Sequence, residues 1–564
     1  MTLDEKIGQM VHIGINARYA NQDSEFFQEV LKDVRENKVG GIILFGAPIY
    51  ESVHFVNRMQ QNARTPLLIS IDAETGVGMR FMDAANFPWA MAVAATGDPA
   101  YARKIGEVTG REARLLGIQH VFAPVLDVNN NPDNPVINVR SFGEDPSMVG
   151  AFGAELIKGL QSQRVMATAK HFPGHGDTAI DSHRGLPLID VDRERLNKVE
   201  LPPFRAAIEA GVASVMIGHI GLPRIDPAEI KPIKNALRVD AEEGAEIVTE
   251  KTTVPATLSK IIQTDMLRNE MGFKGLIVSD AMGMSGLTLY VDQADAAVRA
   301  VLAGTDILEK PADTGAMIRG LKEAVAKGQI PESRIDESVK KIIAWKHAVG
   351  LFKNKLADID AIDGTLSSKS VYALSEEIAS KAVTLLRNDA GTLPLRSDAG
   401  VVFLGLSNTF EGEATAAPFV RTLRDAGIRH QSFVIQENSS RDAIQRAKDA
   451  AMKADVVIVG LFGRVRSGAK NSVGVPEAGA RLLDELIGAD KNIVGIAFGN
   501  PYALRGFPKL KTYLVAFGDM AALQRAAARS VFGMQSVTGR MPISIPGMYP
   551  IGAGIKLESK TISK

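Results

Sequence analysis

The sequence contains no cysteine and has no excess of either charge. Without cysteine, the protein has no disulfide bonds, no thiolate metal sites and no cysteine nucleophile. Lysine and arginine together number 65, and so do aspartate and glutamate, which leaves a formal net charge of zero. A strongly basic surface of the kind that attracts nucleic acids or anionic membranes is therefore not expected. We predict no nucleic-acid partner and no membrane partner.

Long apolar runs are missing as well. No stretch reaches the roughly 18 apolar residues that a membrane-spanning helix needs. The amino terminus, MTLDEKIGQMVHIGI, lacks the basic region, apolar core and small-residue cleavage site of a secretory signal. Either the protein is cytoplasmic or the sequence begins after a signal that has been removed. The sequence leaves the location open, with a periplasmic or secreted protein slightly favoured.

The chain has 564 residues, more than one core usually supports, so two or three domains are expected. Over residues 1–350, short apolar runs alternate with segments that have the apolar spacing of half-buried helices. The candidate strands are residues 9–15, 40–46, 66–72, 120–128, 165–170, 214–220, 275–280 and 305–310. Eight βα units predict a (β/α)8 barrel of the TIM type. A doubly wound sheet is the alternative.

Polar side chains stand at or just beyond the ends of five of these strands: Asp72, Asp127, Lys170, His219 and Asp280. The carboxyl ends of the strands of such a barrel meet at one mouth, where the active sites of this fold lie. Each residue by itself could merely cap the next helix or turn. Five of them together favour an active site.

Residues 351–370 form a polar stretch that is typical of a linker. In the following domain, residues 371–564, apolar runs recur at 401–406, 429–435, 455–463, 492–499 and 513–518. Strands that are apolar almost throughout are typical of a parallel sheet that is buried on both faces. We therefore predict a three-layer α/β sandwich as the second domain. The motif GLFGRVRSG within it lacks the glycine spacing of a phosphate-binding loop.

One segment concentrates the reactive side chains. Residues 170–188, KHFPGHGDTAIDSHRGLPL, contain three of the nine histidines: His171, His175 and His183. Imidazole and carboxylate groups both bind zinc or iron, but the spacing matches no familiar ligand pattern such as HExxH. A metal-dependent hydrolase is thus a minor alternative. His175 is interpreted mainly as a residue that satisfies backbone groups in a tight loop.

The same segment resembles the signature of glycoside hydrolase family 3, in its β-N-acetylglucosaminidase branch. The segments IDAETGVGMR, VFAPVLDVN with VRSFGEDP, IGHIGLPRIDP and PATLSKIIQTDMLRNEMGFKGLIVSDAM resemble the remaining barrel motifs of that family, in the same order. GNPYAL and GRMPISIP resemble parts of its α/β sandwich. The resemblance covers most of the chain and is stronger before residue 370 than after it. It implies a two-domain enzyme that cleaves β-glycosides.

The resemblance also implies catalytic roles. Asp280 matches the nucleophile of the family, and a strand end holds a carboxylate rigidly enough for attack on an anomeric carbon. Most glycosidases use a second carboxylic acid as proton donor, whereas this branch is similar to an exception that uses the histidine of Asp-Ser-His. Here that histidine is His183, which can donate and accept protons near neutral pH. Asp181 would orient its ring and stabilise its charged form.

Sugar-binding roles follow from the same resemblance for five residues: Asp72, Arg80, Arg140, Lys170 and His171. Several fixed hydrogen-bonding groups around one ring suit a pocket that removes terminal sugars. Each of the five could instead belong to a structural ion pair.

Two features depart from the family pattern. The third-strand motif usually reads Asp-x-Glu-Gly-Gly-Arg, whereas this sequence has Thr75 for the first glycine and Val77 for the arginine. One sugar contact of the family is therefore in question. The second departure is an insertion, residues 228–254, after the sixth strand. It is expected on the catalytic face, where it either shapes the leaving-group side or is a solvated excursion without a role.

The sequence therefore predicts a retaining, exo-acting β-N-acetylhexosaminidase that releases terminal β-linked N-acetylglucosamine from peptidoglycan fragments or chitooligosaccharides. One alternative is a β-N-acetylglucosaminide phosphorylase with the same site. Another is an inactive glycan-binding protein, against which the intact Asp280, Asp181 and His183 argue. Water and two side-chain groups suffice for hydrolysis, so no cofactor and no metal is expected. The partner is a small glycan, and the protein is expected to be a monomer or a weak homodimer.

Overall fold

The protein is described here from a computed structural model, in which residues 1–233, 252–389, 391–469 and 471–560 are described. The chain forms two compact units. Unit 1 comprises Met1–Asn86, Ala102–Val128 and Pro146–Val371, and unit 2 comprises Phe87–Tyr101, Asn129–Asp145 and Tyr372–Lys564. Two segments from the first part of the chain thus group with later residues. The domain bounds given above, 1–350 and 371–564 with a linker between them, stay predictions.

Unit 1 is built around an eight-stranded parallel sheet. Its strands are β1 (Val11–Asn16), β2 (Gly41–Phe45), β3 (Leu68–Ile71), β4 (His120–Val121), β5 (Met166–Phe172), β6 (Ser214–Ile217), β9 (Leu276–Ser279) and β10 (Leu308–Glu309), and β7 (Glu229–Ile230) and β8 (Thr252–Thr253) form a separate antiparallel pair. The strand order is β10-β1-β2-β3-β4-β5-β6-β9, and a bridge between Val278 and Ile307 joins the two end strands. The predicted (β/α)8 barrel is confirmed.

Helices alternate with the strands in both units, as the apolar spacing predicts. The α-helices of the described residues are α1 (Leu3–Gln9), α2 (Glu25–Arg35), α3 (Ile49–Asn62), α4 (Ala90–Ala95), α5 (Ala100–Leu115), α6 (Pro146–Ser162), α7 (Arg193–Lys198), α8 (Leu201–Glu209), α9 (Ser285–Thr288), α10 (Gln293–Ala303), α11 (Thr314–Ala326), α12 (Glu332–Ala348), α13 (Lys369–Ala382), α14 (Ala417–Asp425), α15 (Arg441–Lys453), α16 (Glu477–Gly488) and α17 (Ala521–Val531). A π-helix spans Ile261–Glu270. Helix α2 shows the local logic: Ser24 caps its first turn, and Phe27, Val30 and Val34 form its buried face.

The barrel interior carries a buried polar layer below the mouth. His120 on β4 contacts Ser70 on β3 (3.2 Å), Thr168 on β5 (2.8 Å) and Ser214 on β6 (2.9 Å). Burial lowers the pKa of His120 to about 3, so the ring is neutral and acts as a hydrogen-bonding link. Four neighbouring strands are thereby fixed to one another through side chains as well as through the backbone.

Unit 2 is a six-stranded sheet flanked by helices. Its strands are β11 (Thr384–Asn388), β12 (Val401–Ser407), β13 (His430–Ile435), β14 (Val456–Phe462), β15 (Ile493–Ala497) and β16 (Thr512–Val515), in the order β11-β16-β15-β14-β12-β13. The predicted α/β sandwich is confirmed. Strand β11 was not predicted, and it runs antiparallel to β16, whereas the other pairings are parallel. The sheet is therefore mixed, with one antiparallel edge strand.

Candidate active site

Most of the residues that the sequence singles out lie at the carboxyl ends of the barrel strands of unit 1. Asp72 follows β3, Lys170 and His171 lie near the end of β5, His219 follows β6, and Asp280 follows β9. Because all strands of the barrel run parallel, these ends share one face. The loop with Asp181 and His183 leaves β5 at the same face.

Asp72 is the centre of a charged network. Its Oδ2 accepts a hydrogen bond from Nη2 of Arg80 at 2.5 Å, and its Oδ1 accepts one from Nζ of Lys170 at 2.9 Å. The Lys170 ammonium also lies 2.7 Å from Oε1 of Glu74. Burial works against ionisation of Asp72, but the charges of Lys170 and Arg80 outweigh it and hold the pKa of the carboxyl well below its ordinary value. Asp72 is therefore a permanently ionised acceptor.

The departure in the third-strand motif has a structural consequence. Val77, at the position of the family's arginine, is fully buried, and it opens a short 3-10 helix, Val77–Met79. Gly76 precedes this helix with φ of 87°, a conformation that favours glycine. The turn brings Arg80, three residues later, to the carboxylate of Asp72. An arginine thus contacts Asp72 from a shifted position in the sequence.

His171 and His175 are both organised by Asp127. The Oδ2 of this buried carboxylate lies 2.8 Å from Nδ1 of His171, and its Oδ1 accepts the backbone N–H groups of His171 (3.2 Å) and His175 (2.6 Å). The His175 ring is 1% exposed and contacts Oγ1 of Thr178 at 2.7 Å and Oγ of Ser182 at 3.2 Å. Burial lowers the pKa of His175 to about 4. The contacts agree with the structural role interpreted for His175.

Asp181 and His183 form a side-chain pair in the loop after β5. Oδ1 of Asp181 accepts the backbone N–H of His183 at 2.9 Å and lies 2.8 Å from Nδ1 of its ring. The Asp181 side chain is 2% exposed, whereas that of His183 is 32% exposed. An ionised carboxylate only accepts hydrogen bonds, so Nδ1 carries its hydrogen, and Nε2 is the nitrogen suited to proton exchange.

Asp280 is held rigidly at the end of β9. Its backbone N–H donates to the carbonyl of Ile217 at 3.0 Å, and one of its carboxylate oxygens accepts the N–H of Ala281 at 2.8 Å. Burial works against ionisation, but nearby histidines outweigh it and lower the pKa of the carboxyl below its ordinary value; they are His171, His219 and His183. An ionised, half-buried carboxylate at a fixed strand end suits a nucleophile.

Two residues near Asp280 were not assigned roles from the sequence. His219 contacts Oγ1 of Thr257 at 2.6 Å and donates from Nε2 to the carbonyl of Ala281 at 2.9 Å, so it fixes the backbone directly after Asp280. Glu309, at the end of β10, is 1% exposed. Burial, reinforced by the charges of Asp72 and Asp280, raises the pKa of Glu309 well above its ordinary value.

The missed residues share a reason. Glu74, Asp127 and His219 act through partners that are distant in the sequence, and Glu309 is identified only by its burial beside the charges of Asp72 and Asp280; a single sequence shows neither. Position at a strand end was the available signal, and it had marked Asp127 and His219 without giving either a role.

Two predictions are not tested by this cluster. Arg140 belongs to unit 2, in the short 3-10 helix Asn138–Arg140, where its Nη1 donates to the carbonyl of Val136 at 2.9 Å. Its sugar-binding role stays a prediction. Of the insertion at 228–254, residues 234–251 lie outside the described residues, so neither role considered for it is tested. Its two ends are paired as β7 and β8.

Among the described residues, no group of three or more histidine or acidic side chains is arranged to hold a metal ion. Within the same ranges, no helix has both the length and the apolar character that crossing a membrane requires.

Comparison with known proteins gives a consistent result over both units. The model of the glycosyl hydrolase family 3 N terminal domain matches residues 2–345, and that of the glycosyl hydrolase family 3 C-terminal domain matches residues 383–551. The chain is 29% identical over 554 residues to the β-N-acetylglucosaminidase/β-glucosidase of Cellulomonas fimi. The alignment covers 96% of this chain and 93% of that protein.

Solved structures agree. The glycoside hydrolase family 3 β-N-acetylglucosaminidase of Paenibacillus sp. str. FPU-7 superposes with a TM-score of 0.83 at 30% identity, covering 97% of this chain and 99% of that one. The β-glucoside phosphorylase BglX bound to 2FGlc superposes with a TM-score of 0.83 at 25% identity, covering 97% and 95%.

Proposed function

The chain belongs to glycosyl hydrolase family 3 and is a glycoside hydrolase, and we propose that it is a retaining, exo-acting β-N-acetylhexosaminidase. The observation that carries this proposal is the Asp181–His183 pair, with Nδ1 bound to a buried carboxylate, in a loop at the same barrel face as ionised Asp280. Asp280 supplies the nucleophile, and His183 exchanges the proton.

In the first step, a carboxylate oxygen of Asp280 attacks the anomeric carbon of the terminal sugar. The bond to the leaving-group oxygen breaks, and Nε2 of His183 gives its proton to that oxygen. The sugar is now bound covalently to Asp280, and the imidazole is neutral. Asp181 favours the imidazolium that must exist before this transfer, because it pairs a buried negative charge with Nδ1–H.

In the second step, neutral His183 takes a proton from water as the water oxygen attacks the anomeric carbon. The bond to Asp280 breaks, and the carboxylate returns as a leaving group. Two inversions at the same carbon give net retention of the β configuration. The imidazole is protonated again at the end of the cycle.

The sugar is held by fixed hydrogen-bonding groups. Ionised Asp72 accepts from sugar hydroxyl groups, and Lys170 and His171 donate to sugar oxygens. Arg80 fixes the orientation of the Asp72 carboxylate through its 2.5 Å contact. Arg140 is included among the sugar-binding residues on the strength of its motif alone.

The terminal sugar is proposed to be N-acetylglucosamine. The names of the Cellulomonas fimi and Paenibacillus relatives support this choice, as does the Asp-Ser-His motif. The natural glycan is a peptidoglycan fragment or a chitooligosaccharide. The double name of the C. fimi protein makes β-glucosides the comparison substrate.

The test compares p-nitrophenyl N-acetyl-β-glucosaminide with the matching β-glucoside. We expect the N-acetylated sugar to have the higher kcat/KM, and NMR of the first-formed sugar to show the β anomer. A 2-fluoro glycosyl fluoride should leave an adduct on the peptide that contains Asp280. A preference for glucoside would refute the substrate assignment, and an α product or labelling of another residue would refute the mechanism.

A second candidate is a phosphorylase, which resolves the same intermediate with phosphate. The likeness to the β-glucoside phosphorylase supports it. So does electrostatics, because a carboxylate base would repel an anionic nucleophile at short range, whereas a neutral imidazole would not. If millimolar phosphate makes N-acetylglucosamine 1-phosphate the main product, the phosphorylase replaces the hydrolase. If the free sugar remains the main product, the hydrolase stands.

A further inference from the structure

Arg195, on helix α7, joins the loop that carries Asp181 and His183 to the helices behind it. Helix α7 is started by Asp192, whose side chain accepts the backbone N–H of Arg195 at 2.9 Å. The Nη2 of Arg195 then donates to Oδ2 of Asp177, in the loop, at 3.3 Å and to Oε1 of Glu200 at 3.2 Å. One guanidinium group thus links the loop to the residue that precedes helix α8.

Glu200 is the buried partner in this link. Its side chain is 3% exposed, and its second oxygen, Oε2, has no hydrogen-bond partner among the described residues. The loop packs directly on it at Gly174, where an added Cβ would lie 3.0 Å from both Cβ and Cγ of Glu200. Gly174 has φ of 136°, so a larger residue there would be strained as well. The beginning of the loop therefore has little room to shift toward the helices.

Asp177 lies between two points at which the loop is held by the barrel. Before it, the N–H of His175 is bound by Asp127 at 2.6 Å, and after it, the carbonyl of Ser182 accepts the N–H of Gly286 at 2.9 Å. Ala179, in the span between them, is exposed. Thr178 in this span is buried and contacts His175, so the ion pair of Asp177 with Arg195 is a second fixed point, on the outer side of the span that leads into Asp181 and His183.

We infer that Arg195 is a positioning residue, which acts through Asp177 to keep His183 where it protonates the leaving oxygen. The inference rests on the role of His183 in the proposed function. Misplacement of a catalytic group by about 1 Å can cost roughly 100-fold in rate. The side chains of Arg195 and Asp177 are 38% and 34% exposed, so their ion pair adds little to global stability. Loss of this ion pair should therefore slow the step in which His183 transfers its proton.

The experiment compares two glycosides of the sugar that the wild-type enzyme prefers, one with phenol and one with 2,4-dinitrophenol as leaving group. Dinitrophenolate departs without protonation, whereas phenol needs an acid. Arg195→Met, which keeps the stem and removes both ion pairs, should lower kcat/KM on the phenyl glycoside roughly 10- to 100-fold and on the dinitrophenyl glycoside by less than about 3-fold. Arg195→Lys should recover part of the loss.

Arg193→Met is the matched control. Arg193 lies on the same short helix but pairs with Glu270 instead of the loop, so both substrates should be turned over as by the wild type. Asp177→Asn removes the negative charge of the same ion pair from the loop side and should reproduce the pattern of Arg195→Met in a weaker form. It also keeps the inference testable if Arg195→Met fails to fold, which thermal melting will reveal.

A double variant separates positioning from general damage. If Arg195 acts only through His183, adding Arg195→Met to His183→Ala should cause no further loss on the phenyl glycoside. Additive losses, or equal losses on both substrates, would overturn the inference. His183→Ala alone tests the proposed function: equal losses on both substrates would remove His183 as the acid and refute both proposals. If His183→Ala loses activity selectively on the phenyl glycoside but Arg195→Met and Asp177→Asn do not, only the inference about Arg195 is refuted.

Discussion

Glu200 offers a quantitative test of the electrostatics beside the catalytic loop. Burial raises the pKa of Glu200 to about 6 from an ordinary value of 4.5, in spite of the nearby Arg195. The folded state therefore binds the proton more tightly than the unfolded state, and the protonated form is the one that favours folding. Stability from this group is fully present below about pH 4.5 and is lost as the pH rises through 6. The difference between these two pKa values corresponds to about 2 kcal/mol of folding free energy.

Glu200→Gln keeps the shape of the protonated side chain and cannot ionise. The free energy of unfolding of the variant, relative to wild type, should therefore rise by about 2 kcal/mol between pH 4 and pH 7.5. Because the change with pH is measured, any constant effect of the substitution cancels.

Urea unfolding followed by tryptophan fluorescence is a suitable assay. The protein has two tryptophans; Trp345 packs on the core of unit 1, which contains Glu200, and Trp89 packs on the core of unit 2. In a Trp89→Phe background, the signal reports on unit 1. A stability difference that stays constant from pH 4 to 7.5 would refute the pKa assigned to Glu200. A difference that falls with pH would refute the sign of the argument.

Three further outcomes are expected. Asp280→Ala should lose at least about 1000-fold in turnover with an unchanged melting temperature, since covalent catalysis has no substitute there; a variant with a tenth of wild-type activity would contradict the assignment. Burial lowers the pKa of Lys346 to about 7 from 10.5, so its ammonium destabilises the fold below pH 7 and this cost is relieved as the pH rises above 7. The free energy of unfolding of Lys346→Met, relative to wild type, should therefore fall by about 3 kcal/mol from pH 6 to 9.5, and a constant difference would refute the pKa assigned to Lys346. EDTA should leave activity unchanged, and loss that zinc restores would revive the metal-dependent alternative.

The fold was predictable because each barrel strand is a compact apolar run in the sequence. The prediction extended some strands too far, most clearly at 120–128, where β4 ends at Val121. The following residues still pair singly with β5, as Val125 does with Lys170, but Pro124 has no N–H to donate to a continuous ladder. The antiparallel strand β11 was missed because it begins only two residues after helix α13 and ends in Arg387 and Asn388, without a clear apolar run.

The family and enzyme class predicted from the motifs are confirmed. The motifs led to the predicted roles of Asp72, Lys170 and Asp280 because each stands at a strand end inside a recognisable segment. They did not reveal that Glu74 binds Lys170 or that Arg195 reaches the catalytic loop, since ion pairs between separate elements leave no local pattern. The assignment of 129–145 to unit 2 was hidden for the same reason. It depends on contacts such as that of Asn129 with the hydroxyl of Tyr502, 373 residues away in the sequence.

The order of the barrel strands also determines how long β1 lacks one of its neighbours during translation. Strand β1 pairs on one side with β2 and on the other with β10, with Val11 opposite Leu308. On a ribosome that adds about 5–20 residues per second, the first strand waits roughly 15 to 60 s for that second neighbour. Its exposed edge is open to wrong pairing throughout this delay. We expect slowed elongation before residue 309 to increase aggregation of the nascent chain, and chaperone binding during this window to reduce it.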